Sequence, residues 1–216
     1  MMIEYKPVSL ADQVYERLEY GILTGEYQPG EVLSEKRLAA ELGVSRTPIR
    51  EAMTRLIYEK LINETPSGNE VRGISQSDVE DIFEVRKHLE LLASKKAADN
   101  MTTDELSKLQ EVVEQQEFFA SKGDVQKVRD LDTEFHDLIY MGCGSVTLQS
   151  ILTPIHHKLM KFRKASLEHE GRILESVAEH KAILEAIKTD DKESIDELML
   201  KHIEKARQNV IEAMEK

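Results

Sequence analysis

Cysteine is nearly absent: Cys143 is the single one in 216 residues, so no intrachain disulfide can form, which fits a reducing compartment. Cys143 lies between Gly142 and Gly144 and reads as a small loop residue. Long apolar runs are missing as well. Nothing approaches the ~18 consecutive apolar residues of a membrane helix, and Met1 to Leu10 lacks the basic flank and apolar stretch of a signal peptide. A cytoplasmic protein with no membrane partner is the expectation. Surplus positive charge is the third absence. The net charge is −12, which argues at first against a nucleic-acid partner. One stretch reverses the sign: between Lys36 and Arg55 lie Lys36, Arg37, Arg46, Arg50 and Arg55 against only Glu41 and Glu51. Phosphate contacts are local, so such a face can bind DNA on an acidic protein.

Proline is scarce and unevenly placed. Four of the five lie before residue 76 and only Pro154 follows. Beyond that point Leu, Ala, Glu, Lys and Gln dominate, which predicts helices throughout. We therefore expect two domains, 1–75 and 76–216, and a mainly α fold.

In the first segment, Leu10, Val14, Leu18 and Ile22 recur every four residues, one face of a helix. Ser34 can cap a short helix through Leu42, which Gly43 stops. Ser45 can cap the next, with Pro48 in its first turn and Ile49, Met53, Leu56 and Ile57 on one face. Two strands, Leu61–Thr65 and Glu70–Ile74, follow around Pro66-Ser67-Gly68-Asn69. Three helices and a hairpin predict a winged helix-turn-helix, whose second short helix presents its N-terminal residues to base edges in the major groove. Arg46, Thr47 and Arg50 occupy that end, with Arg46 and Arg50 one turn apart. Arginine can grip guanine at two points, a threonine methyl suits thymine, and the helix N-terminus with the Ser45 hydroxyl suits a phosphate.

The run Gly25-Glu26-Tyr27-Gln28-Pro29-Gly30-Glu31-Val32-Leu33-Ser34-Glu35, then Leu38-Ala39 and Leu42-Gly43-Val44-Ser45-Arg46-Thr47-Pro48-Ile49-Arg50-Glu51-Ala52, closely resembles the signature of the GntR family of bacterial regulators. The resemblance implies that Arg37, Arg46 and Arg50 contact DNA, with Thr47 beside them and the wing-tip Gly68 near the minor groove. Two departures stand out: Lys60 occupies a position that is usually glycine, and the wing has one glycine where a pair is common.

The second segment punctuates itself. Ser77-x-x-Glu80, Thr102-x-x-Glu105 and Asp190-x-x-Glu193 read as capping boxes or close relatives. With breaks near Gly123, Gly142 and Gly171, they predict six mostly antiparallel helices at about 78–99, 103–121, 124–141, 146–167, 172–188 and 191–214.

Histidine spacing marks a candidate metal site. Asp132 and His136 stand one turn apart on one helix. His180 lies about ten residues before the turn near Asp190-Asp191 and His202 about eleven after it. At ~1.5 Å per residue the two imidazoles reach the same level of two antiparallel neighbours. One carboxylate and three imidazoles suit zinc, nickel, manganese or iron and leave coordination positions open; alternatively, they are polar core groups satisfied by one another. His88, His156, His157 and His169 fit no such geometry.

This region resembles the ligand-binding domain of the FadR branch of the GntR family. Arg86-x-x-x-Glu90-x-x-Ala93-x-x-x-Ala97 matches its first helix, and Asp132-x-x-x-His136, Glu179-His180-x-x-Ile183-Leu184-x-Ala186-Ile187 and His202 match its metal-binding positions in order. Six helices look like its VanR-type subgroup. The resemblance implies a divalent metal on Asp132, His136, His180 and His202, zinc foremost, and a small carboxylate effector. Arg86 is the cation to meet that effector, unless it serves a surface or inter-helix salt bridge. The reading is a homodimeric, metabolite-responsive transcriptional regulator, more often a repressor, on a palindromic operator. A metal-dependent hydrolase using the Asp/His cluster is the alternative, although no nucleophile motif accompanies it. A helical scaffold for a partner protein is a third reading.

Overall fold

The computed structural model describes residues 9–159, 162, 167 and 171–214. The chain forms two compact units, Met1–Ile74 and Ser75–Lys216.

In the first unit, α1 (Leu10–Leu23), α2 (Glu35–Leu42) and α3 (Arg46–Tyr58) pack over a three-stranded sheet of β1 (Val32–Leu33), β2 (Ile62–Thr65) and β3 (Gly68–Val71). The strand order is β1-β3-β2, antiparallel throughout, with Val32 opposite Glu70 and Thr65 opposite Gly68. The strand β1 escapes periodicity because two residues carry no period. The hairpin is also tighter than its sequence implies: β3 begins at Gly68. Apolar periodicity translates directly into the core, since Val14, Leu18, Ile22, Leu38, Ile49, Met53 and Leu56 are all buried. Leu10 departs from the pattern; it opens α1 and is exposed, as a first residue has no preceding turn to lean on.

Two left-handed residues set the turns. Gly43 ends α2 at φ 67°, a conformation glycine adopts without steric cost. Lys60, just beyond α3, adopts φ 62°, where a Cβ costs ~1–2 kcal/mol. The backbone thus keeps the glycine-type bend that the family pattern implies, although the residue is lysine. Lys60→Gly should stabilise this unit by ~1 kcal/mol, because relief of the Cβ clash outweighs the extra freedom glycine gains when unfolded. Urea unfolding checks it; an unchanged or lowered midpoint would mean Lys60 carries no strain.

The second unit contains six helices among the described residues: α4 (Gln76–Asn100), α5 (Thr103–Ser121), α6 (Val125–Gly142), α7 (Val146–Lys158), α8 (Arg172–Lys188) and α9 (Lys192–Met214). The expected end of the fourth helix at 167 and His169 fall on or beside residues outside the described set. Two caps differ from the sequence reading. The α4 capping box is Ser75 with Asp78, two residues earlier than Ser77 with Glu80, and α9 is capped by Asp191, which accepts from the Ser194 amide. Both stretches offer several cap-competent residues in a row, and the run of backbone bonds selects among them. Thr102 with Glu105 forms the expected box. Cys143 is buried at the C-cap of α6. Helix α6 packs on α4, α5, α7 and α8, while α4 and α8 both contact α9. Side chains from six helices can therefore meet in one place.

Candidate functional site

In the first unit, Ser45, Arg46, Thr47 and Arg50 lie exposed at the N-terminal end of α3. Ser45 holds the N-cap position with extended backbone, yet its side chain makes no capping bond. The caps at Ser9, Ser34, Ser75 and Thr102 accept from the third helical amide; here the third residue is Pro48, which has no N–H and leaves only the Thr47 amide as a donor. Arg50 donates from Nε and Nη2 to the two Glu35 oxygens at 2.8 and 2.9 Å. Arg37 donates from Nη2 to Glu31 at 2.6 Å. Each pair holds its carboxyl below the usual range, chiefly through the arginine hydrogen bond. Gly68 sits at the turn with φ 126°, where an added Cβ would approach Val32 Cγ1 to 3.1 Å.

In the second unit the structure brings Asp132, His136, His180 and His202 together from α6, α8 and α9, all buried. His136, His180 and His202 each offer a ligand atom within 4.8 Å of the others. His136 Nε2 lies 3.2 Å from His202 Nε2, and His180 Nε2 lies 3.6 Å from Asp132 Oδ1. Ligand nitrogens around a tetrahedral zinc, with Zn–N of ~2.0–2.1 Å, stand ~3.3 Å apart. These side chains already hold such spacings.

The outer nitrogens explain the orientation. His180 Nδ1 meets Gln116 Oε1 of α5 at 2.9 Å, and His202 Nδ1 meets Glu179 Oε2 at 2.8 Å. His136 Nδ1 faces Glu90 Oε2 at 3.6 Å. At His180 and His202 an acceptor at Nδ1 favours the proton there and leaves Nε2 facing the cluster, the arrangement that orients metal-ligating imidazoles. His180 Nε2 is buried and makes no hydrogen bond, so a cation at this point would satisfy it. Burial, with help from His202, pushes the His180 imidazole down to about 3, against Asp132 and Glu179. It is therefore neutral at ordinary pH, as a ligand must be. Burial would raise the Glu179 carboxyl, but hydrogen bonds from His202 and Arg172 outweigh it and hold it at about 2.

Four of these contributors were not singled out as site residues from sequence. His156, set aside there, is fully buried on α7 and belongs to the cluster: its Nδ1 is 3.4 Å from the Tyr140 hydroxyl and its Nε2 3.9 Å from Asp132 Oδ2. The signal was present: the short turn at 143–145 joins α6 to α7, with Asp132 about as far before it as His156 lies after it, so the argument that levels His180 with His202 would also have levelled this pair. Gln116 carries no metal-site signal at all. Arg172 lines a small cavity beside His202 and binds Glu179 at 2.9 Å through both Nη atoms. Glu179 follows from its motif but points away from His180, as adjacent helical residues must. His88 is exposed beside Glu84, and His157 pairs with Asp137.

Arg86 lines the same cavity of about 30 Å³ with Phe83, His136, His156 and Ser176. Among the described residues it forms neither a surface nor an inter-helix bridge. It is buried and paired with Glu90 one turn along α4, at 2.5 Å, and Glu90 also accepts from Tyr140 at 2.8 Å. Burial opposes the Arg86 charge, but Glu90 more than restores it.

A winged helix-turn-helix in one unit and a helical unit with a histidine-lined cavity in the other are the architecture of a DNA-binding transcriptional regulator. The comparisons agree: the sequence matches the FCD domain over residues 81–205, more than half the chain, and the bacterial regulatory proteins of the gntR family over residues 10–67. The chain belongs to the GntR family of transcriptional regulators with an FCD domain. It is 30% identical to the uncharacterized HTH-type transcriptional regulator YdhC of Bacillus subtilis, covering 91% of this chain and 89% of that one. It is 29% identical to the HTH-type transcriptional regulator McbR of Escherichia coli over 87% and 86%. The solved structure of E. coli McbR/YncC superposes with a TM-score of 0.81 at 26% identity, covering 97% and 99%. These families are regulators and not enzymes, which leaves the hydrolase alternative without support. No helix among the described residues is long and apolar enough to cross a membrane.

Proposed function

We propose that the chain is a homodimeric repressor that binds a palindromic operator and releases or tightens it when a small carboxylate enters the helical unit. Repression is in line with a 29% identical relative from Bacillus licheniformis, a gluconate operon transcriptional repressor. The observation that carries the sensing half is the convergence of three buried imidazoles, two of them held at their outer nitrogens by Gln116 and Glu179 and the third beside Glu90. Asp132, His136, His180 and His202 would hold a divalent ion, zinc first, with nickel, manganese or iron as alternatives. When bound, that ion supplies a Lewis-acidic docking point for a carboxylate. Arg86 and Arg172 line the cavity beside it, and their charges offset the repulsion that an acidic protein exerts on an anion. Elemental analysis after reconstitution tests the centre, with about one ion per chain expected.

On the DNA side, Arg46, Thr47 and Arg50 read bases, Arg37 is a further DNA contact, Ser45 meets a phosphate, and Gly68 lies near the minor groove. Arg46→Ala or Arg50→Ala should weaken operator binding by ~1–3 kcal/mol if that arginine grips a guanine. Anisotropy titrations at matched salt decide the matter. Equal loss on operator and random DNA would reduce the residue to a phosphate contact, and no loss would remove it from the interface.

A further inference from the structure

The pairing of Arg50 with Glu35 differs from those of the neighbouring arginines. Arg37 meets Glu31, and Arg55 meets Asp12, through one N–H each. Arg50 meets Glu35 through two parallel contacts, Nε to Oε1 at 2.8 Å and Nη2 to Oε2 at 2.9 Å. A planar guanidinium held along its Nε–Nη2 edge cannot rotate in its plane. Its opposite edge, Nη1 with the second hydrogen of Nη2, then faces away from the carboxylate. That edge alone can still donate twice, which is what the O6 and N7 atoms of one guanine require. The Arg50 side chain is 69% exposed and that of Glu35 29%, so the clamp lies on the inner side and the open edge in solvent. Glu35 is itself well fixed. It is the first residue of α2, which Ser34 caps through the Arg37 amide, and a carboxylate is favoured at a helix start.

We propose that Glu35 is a positioning residue for base reading: it locks Arg50 so that the outer guanidinium edge meets a single guanine. This rests on Arg50 being a base contact. The consequence is a division of effects that a merely structural glutamate would not produce. Glu35 is a negative charge close to the DNA face, so it weakens attraction to phosphate for every sequence. It also removes rotameric freedom that Arg50 would otherwise lose on binding. It thereby trades general affinity for discrimination at one position.

The test is selection from a randomised duplex library with the full-length protein, in parallel for wild type, Glu35→Gln and Arg50→Ala, with random-duplex affinity measured at matched salt. We expect Arg50→Ala to relax one guanine in each half-site. Glu35→Gln should relax the same guanine, by roughly fivefold or more relative to the other bases, while binding random DNA more tightly than wild type. An unchanged preference in Glu35→Gln, beside a relaxed one in Arg50→Ala, overturns the positioning role. A sharpened preference overturns it too, since Glu35 would then be competing with the base. If Arg50→Ala alters no position, the underlying reading of Arg50 fails instead. Circular dichroism monitors folding. Should Glu35→Gln not fold, Arg50→Lys keeps the charge but not the two parallel contacts; it must relax that guanine, and a retained preference there overturns the proposal.

Discussion

Exchanging both His180 and His202 for alanine should abolish metal binding and, with it, the thermal stabilisation that a divalent ion gives the wild type. The wild-type protein, reconstituted and measured with free metal at about a hundred times Kd, should gain ~2.7 kcal/mol over the chelated form. For a chain of this size that is a rise in Tm of ~5–10 °C. The double variant should show no such rise. Comparing metal with chelator inside each protein matters here, because both replacements also carry an intrinsic cost. Loss of His180 leaves Gln116 Oε1 without its imidazole, and loss of His202 removes a hydrogen bond from the low-pKa Glu179. Buried groups stripped of a partner cost ~1–3 kcal/mol each whether or not metal is present. The difference between the two metal-induced shifts cancels that cost. Wild-type protein that takes up none of zinc, nickel or manganese would refute the centre. Full occupancy in the double variant would mean that other ligands hold the ion. Glu90, His136 and His156 form the second group with ligand atoms within 4.8 Å of one another. That group is the weaker candidate, because Glu90 is already engaged by Arg86 and Tyr140, and a neighbouring guanidinium repels a cation.

The second large effect is the coupling of the two units. A small carboxylate that binds the cavity should change operator affinity by roughly 5–150-fold, the span of typical couplings of ~1–3 kcal/mol. Reciprocity requires operator DNA to change the affinity for the acid by the same factor. An effector acts only if it prefers one arrangement of the protein over another. The covalent route is short. Strand β3 ends at Val71, α4 starts at Gln76, and Arg86 follows about three turns into that helix. Chain continuity is a route and not a demonstration of coupling. Calorimetric titration of candidate acids into metal-loaded protein, with and without operator, measures both halves. Arg86→Gln, which leaves Glu90 in place, should lose the response to acid before it loses DNA binding. An acid that binds yet leaves operator affinity unchanged would make the cavity structural and remove the sensing mechanism, whatever the DNA contacts prove to be.

Much of the fold could be read directly. The four-residue spacing of Val14, Leu18 and Ile22 places a helix because each turn returns to the same face, and all three are core residues. Gly43 marks a left-handed stop because a Cβ is disfavoured there. The same logic misleads at two places. Ser45 looks like a cap, but the proline that marks the first turn of α3 also removes one of the two amides a cap can bind, and no capping bond forms. Lys60 stands where glycine is usual, yet the chain makes the left-handed bend there with φ 62°.

The sequence by itself determined the helix-turn-helix, the helical character of the second unit and the meeting of Asp132 with His136 and of His180 with His202. All of these rest on separations along the chain: a turn of helix joins Asp132 to His136, and one tight turn brings His180 level with His202. Tertiary structure decided what no separation encodes. It set the Nδ1 atoms of His180 and His202 on Gln116 and Glu179, brought Glu90 near His136, placed Arg172 beside Arg86 at one cavity, and paired Arg50 with Glu35. Each of these depends on the rotation and level of one helix against a neighbour that is distant in sequence or joined by a bend. Packing of whole faces fixes those quantities, and periodicity along a single helix does not.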